Sequence, residues 1–158
     1  MIPVIENIDG GYVSALKLQK IYIDMDLRDG SNPAAIIGAY SKKEDDLDIL
    51  VKLSTLEQAN QALAVLLSSL QHLPFIKTGI GEYISAAKIM RLEIADEDEF
   101  FSVRAVYSKD PEDFDIIDTT ETRDQAYGIL KKIIHGAGSP QEHRIDIVSR
   151  MPGSRSLN

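Results

Sequence analysis

The chain of 158 residues has no cysteine. That excludes disulfides, a thiolate nucleophile and cysteine-ligated zinc, so packing and hydrogen bonds alone must hold the fold. Histidine is scarce: His72, His135 and His143 are the whole supply, and no His-Glu-x-x-His or other metal spacing joins them. His72 and His135 fall near the ends of two expected helices, where the helix dipole favours a partly charged imidazole. No serine sits in a Gly-x-Ser-x-Gly elbow. No glycine-rich loop cradles a phosphate either, because Gly79-Ile-Gly81 is too short and precedes a strand. Long apolar runs are missing, and the opening Met1-Ile-Pro-Val-Ile-Glu6 has neither a basic lead nor a signal-length apolar core. The expectation is a cytoplasmic chain with no membrane contact.

A stripe of basic residues is missing as well. The net charge is −8, and its distribution is uneven. From Gly10 to His72 six Lys/Arg face eight Asp/Glu, a net −2, while from Gly81 to Ala137 seven face thirteen, a net −6. Such a surface offers a nucleic-acid backbone nothing with which to displace its counterions, so direct nucleic-acid binding is not expected. A basic partner surface is compatible with it. The acidic residues do not form a calcium loop. In the frame beginning at Asp24, Arg28 and Asp29 fill the fifth and sixth positions, and Ala35 stands where the bidentate Glu belongs. Asp96-Glu-Asp-Glu99 reads as a solvated turn. No metal ligand, no cofactor-binding residue and no catalytic residue is nominated. Asp118 is noted only because it replaces Val51 of the matching segment.

What the chain does contain is a duplication. Tyr12-Val-Ser-Ala-Leu-Lys-Leu-Gln-Lys-Ile-Tyr-Ile23 recurs as Tyr83-Ile-Ser-Ala-Ala-Lys-Ile-Met-Arg-Leu-Glu-Ile94, at an offset of 71. Beyond a four-residue difference in one loop the offset is 67, where Tyr40-Ser-Lys42 meets Tyr107-Ser-Lys109 and Asp48-Ile49 meets Asp115-Ile116. Thr55, Gln58, Ala59 and Leu63 likewise meet Thr122, Gln125, Ala126 and Leu130. The pattern predicts an α+β fold of two tandem repeats, pseudo-twofold related, each an antiparallel meander of three to four strands followed by one helix. The expected boundaries are a lead-in over 1–9, repeat 1 over 10–73, a linker over 74–81, repeat 2 over 82–137 and a C-terminal extension over 138–158. Each repeat is near the lower size limit for an independent core, so a shared core is expected. The linker's Phe75, Ile76 and Ile80 are expected to pack.

Period-two spacing puts Ile21, Ile23, Met25 and Leu27 on one strand face, with a turn or bulge before them. Strands are expected over 34–41, 47–53, 100–108 and 114–119, with a further edge strand over 144–148. Thr55-x-x-Gln58 and Thr122-x-x-Gln125 are capping boxes that start the two helices. Their apolar stripes are Ala59, Leu63, Leu66, Leu67 and Leu70, then Ala126, Leu130, Ile133 and Ile134. Gly128 inside the second helix has no sequence-level reason.

Strand parity sets Leu47, Ile49, Val51, Phe114 and Ile116 toward the helices. It puts Leu50 and Ile117 on the far face, with Ile37, Phe100 and Val106 beside them. An apolar face of that kind marks an interface, so these five, Ile37, Leu50, Phe100, Val106 and Ile117, are the candidate interaction residues. A β-bulge that reverses parity would instead make them core. The pattern of short strands and a Thr-x-x-Gln-Ala helix loosely resembles small β-rich units of bacterial and phage proteins, and transfers no active residue. The functional expectation is a non-enzymatic interaction or regulatory protein with a protein partner, or a homodimer covering the same face. The alternatives are an enzyme with a cleft between repeats, and an acidic inhibitor that mimics nucleic acid.

Overall fold

Short connections between runs of alternating apolar residues make neighbouring strands fold back on one another. The computed structural model describes residues 3–26, 28–136 and 144–146 and is α+β. It divides into two compact units, Met1–Leu73 and Pro74–Asn158. In the first unit β1 (Val4–Glu6) and β2 (Tyr12–Ser14) form a hairpin that buries Ile5 against Val13. Its turn needs Gly10, whose φ of +84° few side chains tolerate. A 3-10 turn at Ala15–Lys17 supplies the break expected there. The meander of β3 (Lys20–Met25), β4 (Ala34–Ala39) and β5 (Leu47–Leu53) follows, and then helix α1 (Leu56–Ser69).

The second unit runs through elements of the same kinds in the same order. They are β6 (Phe75–Lys77), β7 (Tyr83–Ser85), a 3-10 turn at Ala86–Lys88, β8 (Arg91–Asp96), β9 (Phe101–Val106), β10 (Phe114–Thr120) and α2 (Arg123–Gly136). Its β6–β7 hairpin and its β8–β9–β10 sheet are antiparallel. A last strand, β11 (Arg144–Asp146), lies parallel to β6, with Arg144 opposite Phe75 and Asp146 opposite Lys77. The segments read as lead-in and linker thus contain β1 and β6. Leu27, His143, residues 147 and 148 of the expected edge strand, and the rest of the extension lie outside the described residues. Among the described residues no helix is long and apolar enough to cross a membrane.

Both helices start where their capping boxes predict. Thr55 Oγ1 accepts from the Gln58 amide at 3.1 Å, and the Gln58 side chain accepts from the Ser54 amide. Thr122 Oγ1 accepts from Gln125 N at 3.2 Å, while Gln125 Oε1 accepts from the amides of Glu121 and Thr122. The buried stripe of α1 is Ala59, Leu63 and Leu67, and that of α2 is Ala126, Ile129 and Ile133. The expected Ile134 is exposed instead and Ile129 takes its share, because a 3.6-residue period from Ala126 reaches 129 and 133. Ile76, Ile84, Val103, Ala105 and Ile117 complete a core cluster with these α2 residues, drawn from the second unit alone.

The parity expectation is overturned. Between the pairs Ile36/Val51 and Ile37/Ile49 the β4–β5 register shifts, leaving Leu50 as an extra residue; Ile117 is the extra residue between Asp118/Val103 and Ile116/Arg104. A bulge bends its strand and reverses the alternation beyond it. Leu50 is therefore 3 % exposed and Ile117 fully buried, while Ile116, expected in the core, is 40 % exposed. Gly38 has a reason in the same geometry. A Cβ there would stand 2.9 Å from Leu18 Cδ2 and 3.3 Å from Leu50 Cδ1. At Gly128 a Cβ would meet nothing within 4 Å.

Two substitutions in this framework have opposite signs. Gly128→Ala raises stability by up to about 1 kcal/mol, the helix-propensity difference. Ile117→Lys abolishes cooperative unfolding, because it places an unpaired charge inside the cluster. Urea titration followed by circular dichroism measures both, and a wild-type midpoint for Ile117→Lys would refute the bulge.

Candidate functional site

The site with the most chemistry in one place lies wholly in the second unit, between a tight turn and β10. The turn spans Thr78–Glu82, and its backbone dictates its shape. Gly81 takes a φ of +86°. Thr78 N donates to Glu82 O at 2.8 Å, Gly81 N to Thr78 O at 3.0 Å, and Glu82 N to Thr78 Oγ1 at 3.2 Å. Gly79 N then donates to Ile117 O at 2.7 Å, tying the turn to the bulge of β10. Between them is a cavity of about 570 Å³ lined by Gly79, Ile80, Glu82 and the run Phe114–Thr119.

The lining combines two chemistries. Ile80 stands 79 % exposed at the turn's tip and Ile116 is 40 % exposed on the strand, so the mouth is apolar. Glu82, Asp115 and Asp118 are acidic, and among the described lining residues there is no Lys or Arg. Asp118 is buried, and its Oδ1 accepts from the Thr119 amide at 2.8 Å. Phe114 is held from behind by Arg104, whose guanidinium stands 4.2 Å over the ring and donates to Glu97 at 2.9 Å. At the offset of 71 the first unit carries Ile8, Asp9 and Gly11 where this turn has Gly79, Ile80 and Glu82. The first turn thus has its exposed aliphatic at Ile8 and its carboxylate at Asp9, whereas the second has them at Ile80 and Glu82. A smaller cavity of about 240 Å³ lies elsewhere in the same unit, lined by Ile76, Ala86, Ile89, Met90, Arg91, Leu92, Ile133 and Ile134.

Each unit also contains a tyrosine–aspartate bond across the loop before its last strand. Tyr107 Oη donates to Asp115 Oδ2 at 2.7 Å, and Tyr40 Oη donates to Asp48. The same loops are closed by Tyr107 N to Asp113 O and Tyr40 N to Asp46 O, at 2.9 Å each. Burial, followed by the hydrogen bond to Asp48 and its charge, pushes the Tyr40 phenol up to about 12. Burial and then the charge of Asp115 raise Tyr107 further. These residues were visible as identities between the copies; nothing in one dimension showed that each Tyr meets the Asp eight residues on.

Four of the five interaction candidates do not form a surface. Ile37, Leu50, Val106 and Ile117 are all buried within the chain, and only Phe100, 39 % exposed, offers area. Ile117 touches the cavity from its floor because the bulge turns it inward. Of the linker residues expected to pack, Phe75 and Ile76 are buried and Ile80 is not. A residue between Gly79 and Gly81 at a turn tip has no neighbour to pack on, and that spacing was the available signal. No protein-family model, curated protein or solved structure matches this chain.

The tyrosines give a pH dependence whose sign follows from their raised values. Above about pH 10 an unfolded tyrosine loses its proton while Tyr40 and Tyr107 in the fold keep theirs, so the folded state binds more protons and stability falls as pH rises. The loss runs upward from about pH 10 through the folded value of Tyr40, about 12. Tyr40→Phe/Tyr107→Phe should show a shallower alkaline decline in denaturation midpoint than the wild type. Equal slopes would mean that the two bonds do not hold in solution.

Proposed function

We propose that the protein is a non-enzymatic interaction protein of the cytoplasm, built from two copies of one strand-and-helix unit, that receives a protein partner at the groove between the Thr78–Glu82 turn and β10. One observation carries this reading. Ile80 presents an almost fully exposed branched aliphatic side chain at the lip of an acid-lined cavity, next to the exposed Ile116. Exposed aliphatic side chains grouped beside a concave groove are the kind of apolar patch that marks an interaction surface.

An enzymatic reading has one observation in its favour, the presence of Asp118 and Glu82 in the same lining. Acid–base chemistry wants two carboxylates driven to different protonation states. Here Asp115 accepts from Tyr107 and Asp118 accepts from the Thr119 amide, so both side chains are tied into the fold. The interaction reading needs no such separation.

Ile80→Asp tests it. The side chain is exposed, so the variant should keep the wild-type melting temperature. Immobilised wild-type protein should retain a partner from native-host extract at low salt, and the variant should lose at least about tenfold of it, as expected for one central apolar contact worth more than 1 kcal/mol. Equal retention by both proteins, or none by the wild type, overturns the proposal.

A further inference from the structure

Each unit has the same two surfaces, and the two units leave opposite ones open. The first surface is the opening hairpin, β1–β2 or β6–β7. The second is the outer side of the first meander strand, β3 or β8, with the 3-10 turn before it and the end of the helix. In the second unit this outer side is open. Among the described residues β8 has a strand, β9, on one side only of the β8–β9–β10 sheet, so every second N–H and C=O of Arg91–Asp96 points outward. Beside that edge Met90 is 50 % and Ile134 58 % exposed, at the cavity of about 240 Å³ that Ile89, Leu92 and Ile133 also line. At the matched positions of the first unit Leu18, Gln19, Ile21 and Leu67 are all buried. The second unit keeps aliphatic residues at Ile89, Leu92 and Ile134, the chemistry of a face that is meant to be covered.

The hairpins show the reverse. Tyr12 is 70 % exposed and Val4 is exposed too, on the same face of the β1–β2 hairpin as Glu6 and Ser14. Among the described residues β2 has β1 on one side and no strand on the other. The matched Tyr83 is half-buried, and Ser85, the match of Ser14, is buried. The chain as a whole therefore keeps one open hairpin and one open β8. Their charges are opposite. Residues 3–16 contain Glu6 and Asp9 and no Lys or Arg, whereas residues 86–92 contain Lys88 and Arg91 and residues 130–136 contain Lys131 and Lys132, with no Asp or Glu in either stretch. Arg91 also reaches Glu93 along its own strand at 2.9 Å.

We infer that the protein associates with itself head to tail, the β2 edge of one copy's hairpin adding to the β8 edge of the next. Strand addition satisfies the outward backbone groups of both edges. It brings the apolar face of the hairpin to Met90 and Ile134 and its carboxylates to the basic rim. The contact joins unlike surfaces, so each added copy leaves one hairpin and one β8 open, and growth ends only when a ring closes. It shares no lining residue with the acid-lined groove and does not rest on the reading of that groove.

Sedimentation of the full chain over a concentration series tests it. The wild-type mass should rise above that of one chain as concentration increases. Tyr12→Lys alters only the hairpin and Met90→Asp only the β8 face. Both side chains are at least half exposed, so both variants should keep the wild-type melting temperature. Each alone should associate at least about tenfold more weakly than the wild type, and Val4→Lys and Ile134→Asp should repeat the two results at different positions. Mixed in equal amounts, the hairpin variant and the β8 variant should associate again, because one keeps a native β8 face and the other a native hairpin. A wild-type mass of one chain at every concentration overturns the inference. So does a hairpin or β8 variant that associates as the wild type does, the mark of a contact between two identical surfaces, and so does a mixture that stays as single chains.

Discussion

One extra residue in the last strand of each meander determines what the rest of the fold can bury. If β5 and β10 alternated strictly, Leu50 and Ile117 would lie on the face away from the core. The bulges turn both inward, and the consequences spread along the chain. Ile117 joins the cluster with α2, while Gly38 is kept small because Leu18 and Leu50 occupy the space its side chain would need. In the second unit the bulged carbonyl of Ile117 faces the Thr78–Glu82 turn and accepts its amide. The same bulge thus closes the core on one side and shapes the groove on the other.

Around that constraint the two units use the same small set of bonds. Pro3 O and Pro74 O accept from Ala15 N and Ala86 N at 2.9 Å, a Tyr–Asp bond crosses each loop, and a threonine caps each helix. None of these contacts is large. An N-cap contributes about 1 kcal/mol and a typical hydrogen bond about the same net amount, so they set geometry while burial of aliphatic side chains supplies most of the stability. Residue type varies at positions 8, 9 and 11 against 79, 80 and 82 although the backbone bonds there are kept, Ile8 N donating to Ile49 O as Gly79 N donates to Ile117 O.

Local signals were legible in the sequence and non-local ones were not. The helix starts at Thr55 and Thr122 follow from a spacing of three residues, and β5 spans the residues its alternation implies. The bulges left no local mark, because a bulge depends on how two strands pair, and each strand reads as regular by itself. That is why the interaction residues were misplaced: four of the five are core. The groove was legible only in fragments. Gly79-Ile-Gly81 was visible as a glycine pair, and Asp118 as a departure from Val51, but their meeting depends on one hydrogen bond between residues 38 positions apart, Gly79 N to Ile117 O. His72 and His135 illustrate the opposite case, in which the sequence suggested a role at helix ends and the site makes no use of them.

The pairing of β11 with β6 also has a consequence in time. During synthesis Phe75–Lys77 leaves the ribosome roughly 70 residues before its partner Arg144–Asp146, and at ~5–20 residues per second that interval is about 4–14 s. For those seconds the backbone edge of β6 that β11 will cover is open to any extended chain nearby, its own or a neighbour's, and an open edge is a template for mispairing. Lys77 at the end of β6 and Pro74 just before it suit such an interval, since charge and proline both discourage the wrong strand from adding. Slow decoding between residues 78 and 143 would lengthen the exposure, and aggregation in crowded expression would increase with it.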